Sequence, residues 1–333
     1  MRYLQTISEI KRQKLDVKDK KILCLLSVNA RAPVTQIAKK VGLSRDAVQY
    51  RINKYESSGI VQGYRTLIDL SKLGYCAYHL FIKLNSPSKE IENRIISGLV
   101  KHNFVRAVIN FNGNFDIEVA FVAKDTTDLD EKSGIILGDC QHYLLDYELL
   151  IISKKFVART FSKSFIDYQS DKEVHLNLKH DVDKKDIAIL KMIGDSAKIP
   201  LYEIADNVKL SIDAVIYRIN KMIDSGLILK FIPVINYASL GYSLHALIVN
   251  IDGLDEKKEK VLKNFLTQDP NVLWAVKTIG KANLLLYVLV ENTEDLHETS
   301  FKIKRLFPDC IRKYDSLIAY EEHKYIYFPK DLF

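Results

Sequence analysis

Residues Leu43–Lys54 read LSRDAVQYRINK, and Leu210–Lys221 read LSIDAVIYRINK. Only the third and seventh positions differ. The likeness extends outward on both sides: LDVKDKKIL at Leu15–Leu23 returns as VDKKDIAIL at Val182–Leu190. Asp16, Ser44, Gly74 and Gly113 recur at Asp183, Ser211, Gly241 and Gly280, each 167 positions on. A constant offset over most of the chain means two copies joined end to end, with hardly an insertion between them. Units this long are not solenoid repeats, which run to a few tens of residues. They look like a dimer built into one polypeptide, in which each copy serves as an internal control for the other.

One copy, walked from its start, gives a consistent pattern. Asp16 suits a helix N-cap, with Asp19 near the positive end of the dipole, and Ile22, Leu23 and Leu26 form an apolar stripe at helical spacing. A polar turn leads to a short second helix with Ile37, Ala38 and Val41 inward. Gly42 ends it, Ser44 caps a third helix with Val48, Ile52 and Tyr55 inward, and Gly59 stops that one. Three short helices with a tight turn before the third match the helix-turn-helix pattern, and Ile60–Ile68 reads as an extended wing. The second copy repeats each step with Ile189, Leu190 and Ile193; Ile204, Ala205 and Val208; Val215, Ile219 and Met222; then Gly226.

Beyond the wing the period changes. Strand Ala77–Leu84, helix Ser88–Lys101, strand Val105–Phe111, strand Ile117–Val122, helix Thr127–Leu137 and a long strand near Tyr143–Phe156 give the order β-α-β-β-α-β, a ferredoxin-like arrangement. Copy two offers the same order, with its last strand near Ile311–Tyr320. The fold class expected is α+β: two winged helix-turn-helix domains alternating with two ferredoxin-like βαββαβ domains. The layout is 1–68, 69–160, a linker at 161–181, 182–235 and 236–333.

The chain has 333 residues, 47% hydrophobic and 27% charged, as in an ordinary soluble globular protein. No apolar run approaches the roughly 20 residues of a membrane span, and the start MRYLQTISEIKRQK carries no signal-peptide core. No membrane partner and a cytoplasmic location are therefore expected. Cys24, Cys76, Cys140 and Cys310 are isolated, and His175 and His180 lie in a polar stretch that reads as solvated. Neither a disulfide framework, a metal site nor a cofactor is suggested. The net charge of +7 is lopsided: residues 1–167 carry 26 Lys+Arg against 18 Asp+Glu, and the remainder 23 against 24. The first head, Leu15–Thr66, has 10 basic and 4 acidic residues, and the second, Val182–Pro233, has 8 and 7. A basic surface of this kind is the footprint of a phosphate-backbone binder.

A helix-turn-helix, a wing and a βαββαβ domain in that order resemble the Lrp/AsnC family of transcription regulators. The likeness rests on Asp16-x-x-Asp19-x-x-Ile22-Leu23, Ile37-Ala38-x-x-Val41-Gly42-Leu43-Ser44, Val48-x-x-Arg51-Ile52, Ser58-Gly59-Ile60-Val61-x-Gly63-Tyr64, Leu73-Gly74-Tyr75 and Gly113-x-x-Asp116. The resemblance implies binding of double-stranded DNA by the helical head, and effector sensing, usually of amino acids, with dimerisation through the sheet domain. Family members are normally one copy long and self-associate. Here the expectation is an intramolecular pseudo-dimer or a homo-oligomer, since a linker raises the effective concentration of the two halves.

A recognition helix places its N-terminal residues near base edges and its flanks on phosphates. Ser44, Arg45, Gln49, Tyr50, Arg51, Asn53 and Lys54 are the candidates in copy one. Arg45 suits guanine and Gln49 suits adenine; Arg51 and Lys54 suit phosphates, although Arg51 also suits a tie between two helices. Copy two keeps Ser211, Tyr217, Arg218, Asn220 and Lys221, yet Arg45 becomes Ile212 and Gln49 becomes Ile216. DNA reading is therefore expected mainly from the first head, the second being a weak contact or a protein contact. The effector candidates are Gly113, Asn114, Phe115 and Asp116, with Gly280 and Asn283 in copy two. A carboxylate beside backbone amides suits an amino acid, and Asn-Gly is equally good hairpin chemistry.

No catalytic residue is assigned. The enzyme alternative is a siroheme-decarboxylase-like activity, since those enzymes resemble this family, occur as two-unit fusions and use an Asn-Tyr-Glu-Arg-like run. Tyr320-Glu321-Glu322-His323-Lys324-Tyr325 echoes that run loosely in copy two alone. A co-regulator acting by protein contacts through the apolar second head is the other alternative.

Overall fold

A computed structural model describes residues 12–167, 179–194 and 196–333. They pack into two compact units, and both units draw on both copies. One, the head unit, gathers residues 14–75, 179–236 and 326–333; the other, the sheet unit, is built chiefly from Cys76–Asp167 and Tyr237–Tyr325. The linear layout of five successive segments is thus not how the chain packs. Each head ends near residue 75 or 236, and Ile326–Phe333, expected in the second sheet domain, belongs with the heads. Within the expected linker, Phe161 and Phe165 are stacked 4.4 Å apart in the sheet unit; His175 lies outside the described residues.

In the head unit, copy one forms α1 (Val17–Val28), α2 (Val34–Val41), α3 (Arg45–Ser57) and the wing β1 (Val61–Ile68). Copy two forms α6 (Lys184–Ile193), α7 (Leu201–Val208), α8 (Ile212–Asp224) and β6 (Ile228–Ile235). Local chemistry sets the helix ends. Asp16 and Asp19 form a reciprocal capping box at α1, and Asp183 and Asp186 repeat it at α6, each satisfying backbone donors that a helix start leaves open. Ser44 and Ser211 cap α3 and α8 through Ala47 N–H and Ala214 N–H at 3.2 Å. Gly42 ends α2 at φ +69°, whereas copy two puts Lys209 in the same left-handed position at φ +53°. The expected inward residues of α3 and α8 are all buried.

The two wings pair with each other. β1 runs antiparallel to β6, from Val61 opposite Ile235 to Ile68 opposite Ile228, so each edge strand supplies the partner that the other lacks. Around this ribbon the contacts repeat with two-fold pseudosymmetry. Ala30 N–H donates to Phe231 O at 2.8 Å and its equivalent Ala197 N–H to Tyr64 O at 2.9 Å; Asp69 N–H donates to Leu227 O and Asn236 N–H to Ile60 O. Arg31 lies over the Phe231 ring, and its equivalent Lys198 lies over the Tyr64 ring. The two heads are therefore one packed body.

In the sheet unit, copy one contributes β2 (Cys76–Leu84), α4 (Lys89–Leu99), β3 (Val105–Asn112), β4 (Ile117–Ala123), α5 (Thr126–Cys140) and β5 (Leu144–Ala158). Copy two contributes β7 (Ser243–Ile251), α9 (Glu256–Gln268), β8 (Val272–Ile279), β9 (Leu284–Val290), α10 (Thr293–Leu306) and β10 (Ile311–Tyr325). The two ferredoxin-like sheets join edge to edge into one closed barrel, ordered β10-β3-β4-β2-β5-β8-β9-β7. β5 and β10 make the corners: each pairs in its first half within its own sheet and in its second half with the other copy, the two ladders meeting at Ile151 and at Ile318. Closure leaves no open edge. It also explains why β10 runs to Tyr325 rather than stopping near Tyr320, because its second half pairs with β3. Phe81, Ile109, Phe111, Leu150, Ile248, Val276 and Leu285 fill the interior. Among the described residues no helix is long and apolar enough to cross a membrane.

Candidate nucleic-acid interface

α3 buries Val48, Ile52 and Tyr55 and turns a polar face outward. On that face Arg45 is 65% exposed and loosely paired with Asp46 at 3.2 Å, Gln49 Nε2 donates to Asn53 Oδ1 at 2.8 Å, and Tyr50 is 70% exposed. Lys54 is exposed one turn further on. These side chains share one surface because their spacing follows the helical period, offset from the buried stripe.

Arg51 is placed otherwise. Its Nη1 donates to Asp16 Oδ2 at 2.8 Å and to Asp19 Oδ1 at 2.5 Å, and Tyr55 Oη donates to the same Asp19 oxygen at 2.7 Å. Arg218 repeats the tie to Asp183 at 2.8 Å and Asp186 at 2.9 Å. Of the two roles open to Arg51, a phosphate contact or a tie between two helices, these ion pairs are those of the tie, and Arg218 repeats them. Both guanidiniums join the third helix of a head to the capping box of its first. The hydrogen bonds that Arg51 donates to Asp16 and Asp19 raise its pKa above the ordinary value. Burial and the Asp19 carboxylate together push the Tyr55 hydroxyl well up.

On α8 the outward face differs in kind. Ile212, Ile216 and Tyr217 are 45%, 37% and 60% exposed, and Tyr202 of the preceding helix is 57% exposed. Lys221 lies over the Tyr217 ring at 4.9 Å, and Asn220 is exposed beside it. The last turn of α2 adds a further contrast. Lys39 and Lys40 are exposed there, and the positions 167 on are Asp206 and Asn207. The first helix of a helix-turn-helix crosses the DNA backbone, so Lys39 and Lys40 join the candidate face. Reasoning from α3 alone missed them, although the charge imbalance between the heads carried the signal.

The loop expected to border an effector lies in the sheet unit, between β3 and β4. Asp116 Oδ2 accepts from Leu84 N–H at 2.7 Å, and Oδ1 accepts from Lys83 Nζ at 2.9 Å. Asn283 does the same work in copy two: its Oδ1 accepts from Ile251 N–H at 2.9 Å and its Nδ2 donates to Ile251 O at 2.7 Å. Phe115 is buried in the barrel interior, and Asn114 Nδ2 reaches Asp315 Oδ1 at 3.4 Å. Gly113 and Gly280 sit at φ +148° and +147°; a Cβ would lie 2.7 Å from Leu317 Cδ2 in the first and 2.6 Å from Leu149 O in the second. The Asp-to-Asn change thus keeps one hydrogen-bonding task, tying the loop to a neighbouring strand.

Within the run Tyr320–Tyr325, Tyr320 and Lys324 face α4 and the residues after it, and His323 Nε2 is 3.8 Å from Glu321 Oε2. Tyr320 Oη accepts from Asn110 Nδ2 at 3.0 Å, and Lys324 Nζ donates to Val100 O and His102 O at the end of α4. Tyr325 instead packs on the barrel interior, as strand alternation requires. A different polar group is buried inside the barrel: Glu118 Oε1 meets His79 Nδ1 and accepts from Tyr287 Oη, with Trp274 packed 5.3 Å from the Tyr287 ring. Burial, then the Glu118 charge, pushes the Tyr287 hydroxyl well up.

Comparison with known proteins bears on both copies. A model of the AsnC-type helix-turn-helix domain matches residues 15–56, and one of winged helix-turn-helix DNA-binding domains matches residues 182–228. The HTH-type transcriptional regulator LrpA of Pyrococcus horikoshii is 37% identical over 115 residues, covering 34% of this chain and 80% of that protein. The regulatory protein AsnC of Haemophilus influenzae is 33% identical over 105 residues, covering 31% and 68%. Among solved structures, the siroheme decarboxylase NirDL aligns over 93% of both chains with a TM-score of 0.63 and 13% identity. That likeness is one of fold, and it runs through both copies.

Proposed function

We propose, from the premise that this chain belongs to the Lrp/AsnC family of transcription regulators, that it reads double-stranded DNA chiefly through its first head. The observation that carries this is the contrast between two outward faces on one duplicated scaffold. Arg45, Gln49, Tyr50, Asn53 and Lys54, with Lys39 and Lys40 on α2, offer hydrogen-bond forks and cations. Ser44 sits at the N-cap, where its backbone approaches a phosphate. The second head offers Ser211, Tyr217, Asn220 and Lys221 for backbone contacts, but Ile212 and Ile216 where base readers stood. Isoleucine touches a thymine methyl and has no hydrogen-bond readout.

Because the wings bind the heads together, both helices address one duplex, with half-sites about one turn or a multiple apart. The test compares operator affinity after Arg45→Ala with Gln49→Ala against Ile212→Ala with Ile216→Ala. A bidentate base contact is worth about 1–3 kcal/mol, so the first pair weakens specific binding by at least tenfold and the second by far less. Equal losses sink the asymmetry. Loss of DNA binding in neither, with a partner protein lost in the second, favours a co-regulator.

The effector reading stays with the Gly113–Asp116 loop: an amino-acid ammonium there competes with Lys83 for Asp116, while Gly280 and Asn283 offer no carboxylate. Thermal shifts against a panel of amino acids, repeated with Asp116→Asn, test it, and a panel without any shift counts against it. The enzymatic reading draws on a separate observation, the His79–Glu118–Tyr287 group, in which Glu118 Oε2 is buried without a hydrogen-bond partner among the described residues. Absorbance titration with an iron porphyrin tests it; an unperturbed Soret band removes it.

A further inference from the structure

The duplication supplies a comparison at the seam between the two outer helices of each sheet. In copy two, Phe307 is buried there, and Phe265 and Leu306 pack half-buried on the cluster of Leu262, Leu266 and Ile303. The residues 167 positions earlier are Gly98, Asp139 and Cys140. Two phenyl rings and an isobutyl group therefore have no counterpart at the seam between α4 and α5, and an open cleft of about 440 Å3 is lined by Gly98, Asp139 and Cys140. A Cβ on Gly98 would lie 3.0 Å from Asp139 Oδ2, so the Asp139 carboxylate rests directly on that glycine.

The rim changes as well. Arg94, Lys101 and His142 border the cleft, where copy two has Val261, Gln268 and Asp309. The seam that lost its apolar filling thus gained three basic side chains at its mouth. Asp139, the acidic residue of the lining, is turned to His102, whose Nε2 is 2.7 Å from Oδ2. Burial, then the neighbouring Asp139 charge, pushes the Cys140 thiol up to about 12, which keeps the floor beside Ile95 uncharged. A volume of this size lies within the usual range for small-molecule sites, roughly 300–1,000 Å3, and such sites pair an apolar body with a few placed polar groups.

We propose that this cleft binds a small aromatic carboxylate, its ring lying in the cleft beside Tyr143 and its carboxylate meeting Arg94 and Lys101. A planar guanidinium matches a carboxylate with two parallel hydrogen bonds. The site is separate from the DNA-reading face and from the Gly113 loop, and the proposal does not depend on either.

Calorimetric titration of the full chain with phenylacetate, benzoate and indole-3-acetate tests it, with acetate and benzyl alcohol as controls lacking the ring or the charge. Saturable binding is expected for at least one aromatic acid and for neither control. The triple variant Gly98→Phe, Asp139→Leu, Cys140→Phe installs the copy-two filling and abolishes binding. Arg94→Gln, a surface change that leaves the hollow open, weakens it by roughly tenfold, as expected for one charge-assisted pair. Circular dichroism melting of both variants shows whether the fold is kept. No heat with any of the three acids up to millimolar concentration overturns the proposal. So does unchanged affinity in Arg94→Gln, whether or not the triple variant folds.

Discussion

Replacing Arg51 by Met removes two charge-assisted hydrogen bonds while keeping most of the apolar stem. The two bonds are not worth the same. Asp16 is 52% exposed, so its pair is screened toward the 0–1 kcal/mol of a surface ion pair. Asp19 is 14% exposed and also accepts from Tyr55, so its bond is nearer the 1.5 kcal/mol at the low end for charged partners. Together the loss is about 2 kcal/mol of head stability. Equilibrium urea unfolding by circular dichroism, with hydrogen exchange of α1 amides, measures it. The same variant is titrated with an operator duplex at several salt concentrations. If Arg51 is a clamp, the head loosens and the slope of log affinity against log salt stays as in the parent. Lys54→Met gives the opposite pattern: unchanged unfolding, and a slope shallower by about 0.9, the value for one phosphate contact. An Arg51→Met protein with the parent's unfolding curve and a slope reduced by that amount would refute the clamp.

Three further outcomes follow from the geometry. Gly280→Ala costs more than Gly113→Ala, about 2–4 against about 1–2 kcal/mol by urea unfolding, because the new Cβ meets the Leu149 backbone carbonyl in one and the end of the Leu317 side chain in the other. Lys209→Gly stabilises the second head by about 0.5–1 kcal/mol, since the position is left-handed and Gly42 already fills its equivalent; a lowered urea midpoint contradicts this. Both capping boxes weaken in acid. The Asp186 N–H, then Arg218, hold the Asp183 carboxyl below its ordinary 3.8. At Asp16, burial raises the pKa, but bonds from Asp19 N–H and Arg51 together outweigh it. A depressed carboxyl stabilises the fold fully above the ordinary value and loses that contribution as pH falls through the lower folded value. The heads should therefore loosen below about pH 4, measured by exchange of α1 and α6 amides; a flat profile from pH 6 to 3 contradicts it.

The duplication, the three-helix heads with their caps, the order of the sheet domains and the charge contrast between the heads were all legible in the letters. Those features depend on local chemistry: an N-cap aspartate, a left-handed glycine and an apolar stripe at helical spacing act within one or two turns of chain. Tertiary structure alone decided which strands meet. β1 found β6, and β5 and β10 crossed to the opposite copy, because an edge strand's unpaired backbone accepts any compatible partner and its own residues do not name one. The same holds for side chains whose meaning is set by distant neighbours. Arg51 and Lys54 look alike as cations on α3, yet only one lies against the α1 capping box. Gly98 and Asp139, unremarked as letters 41 positions apart, become the two walls of a cleft only when α4 and α5 pack together.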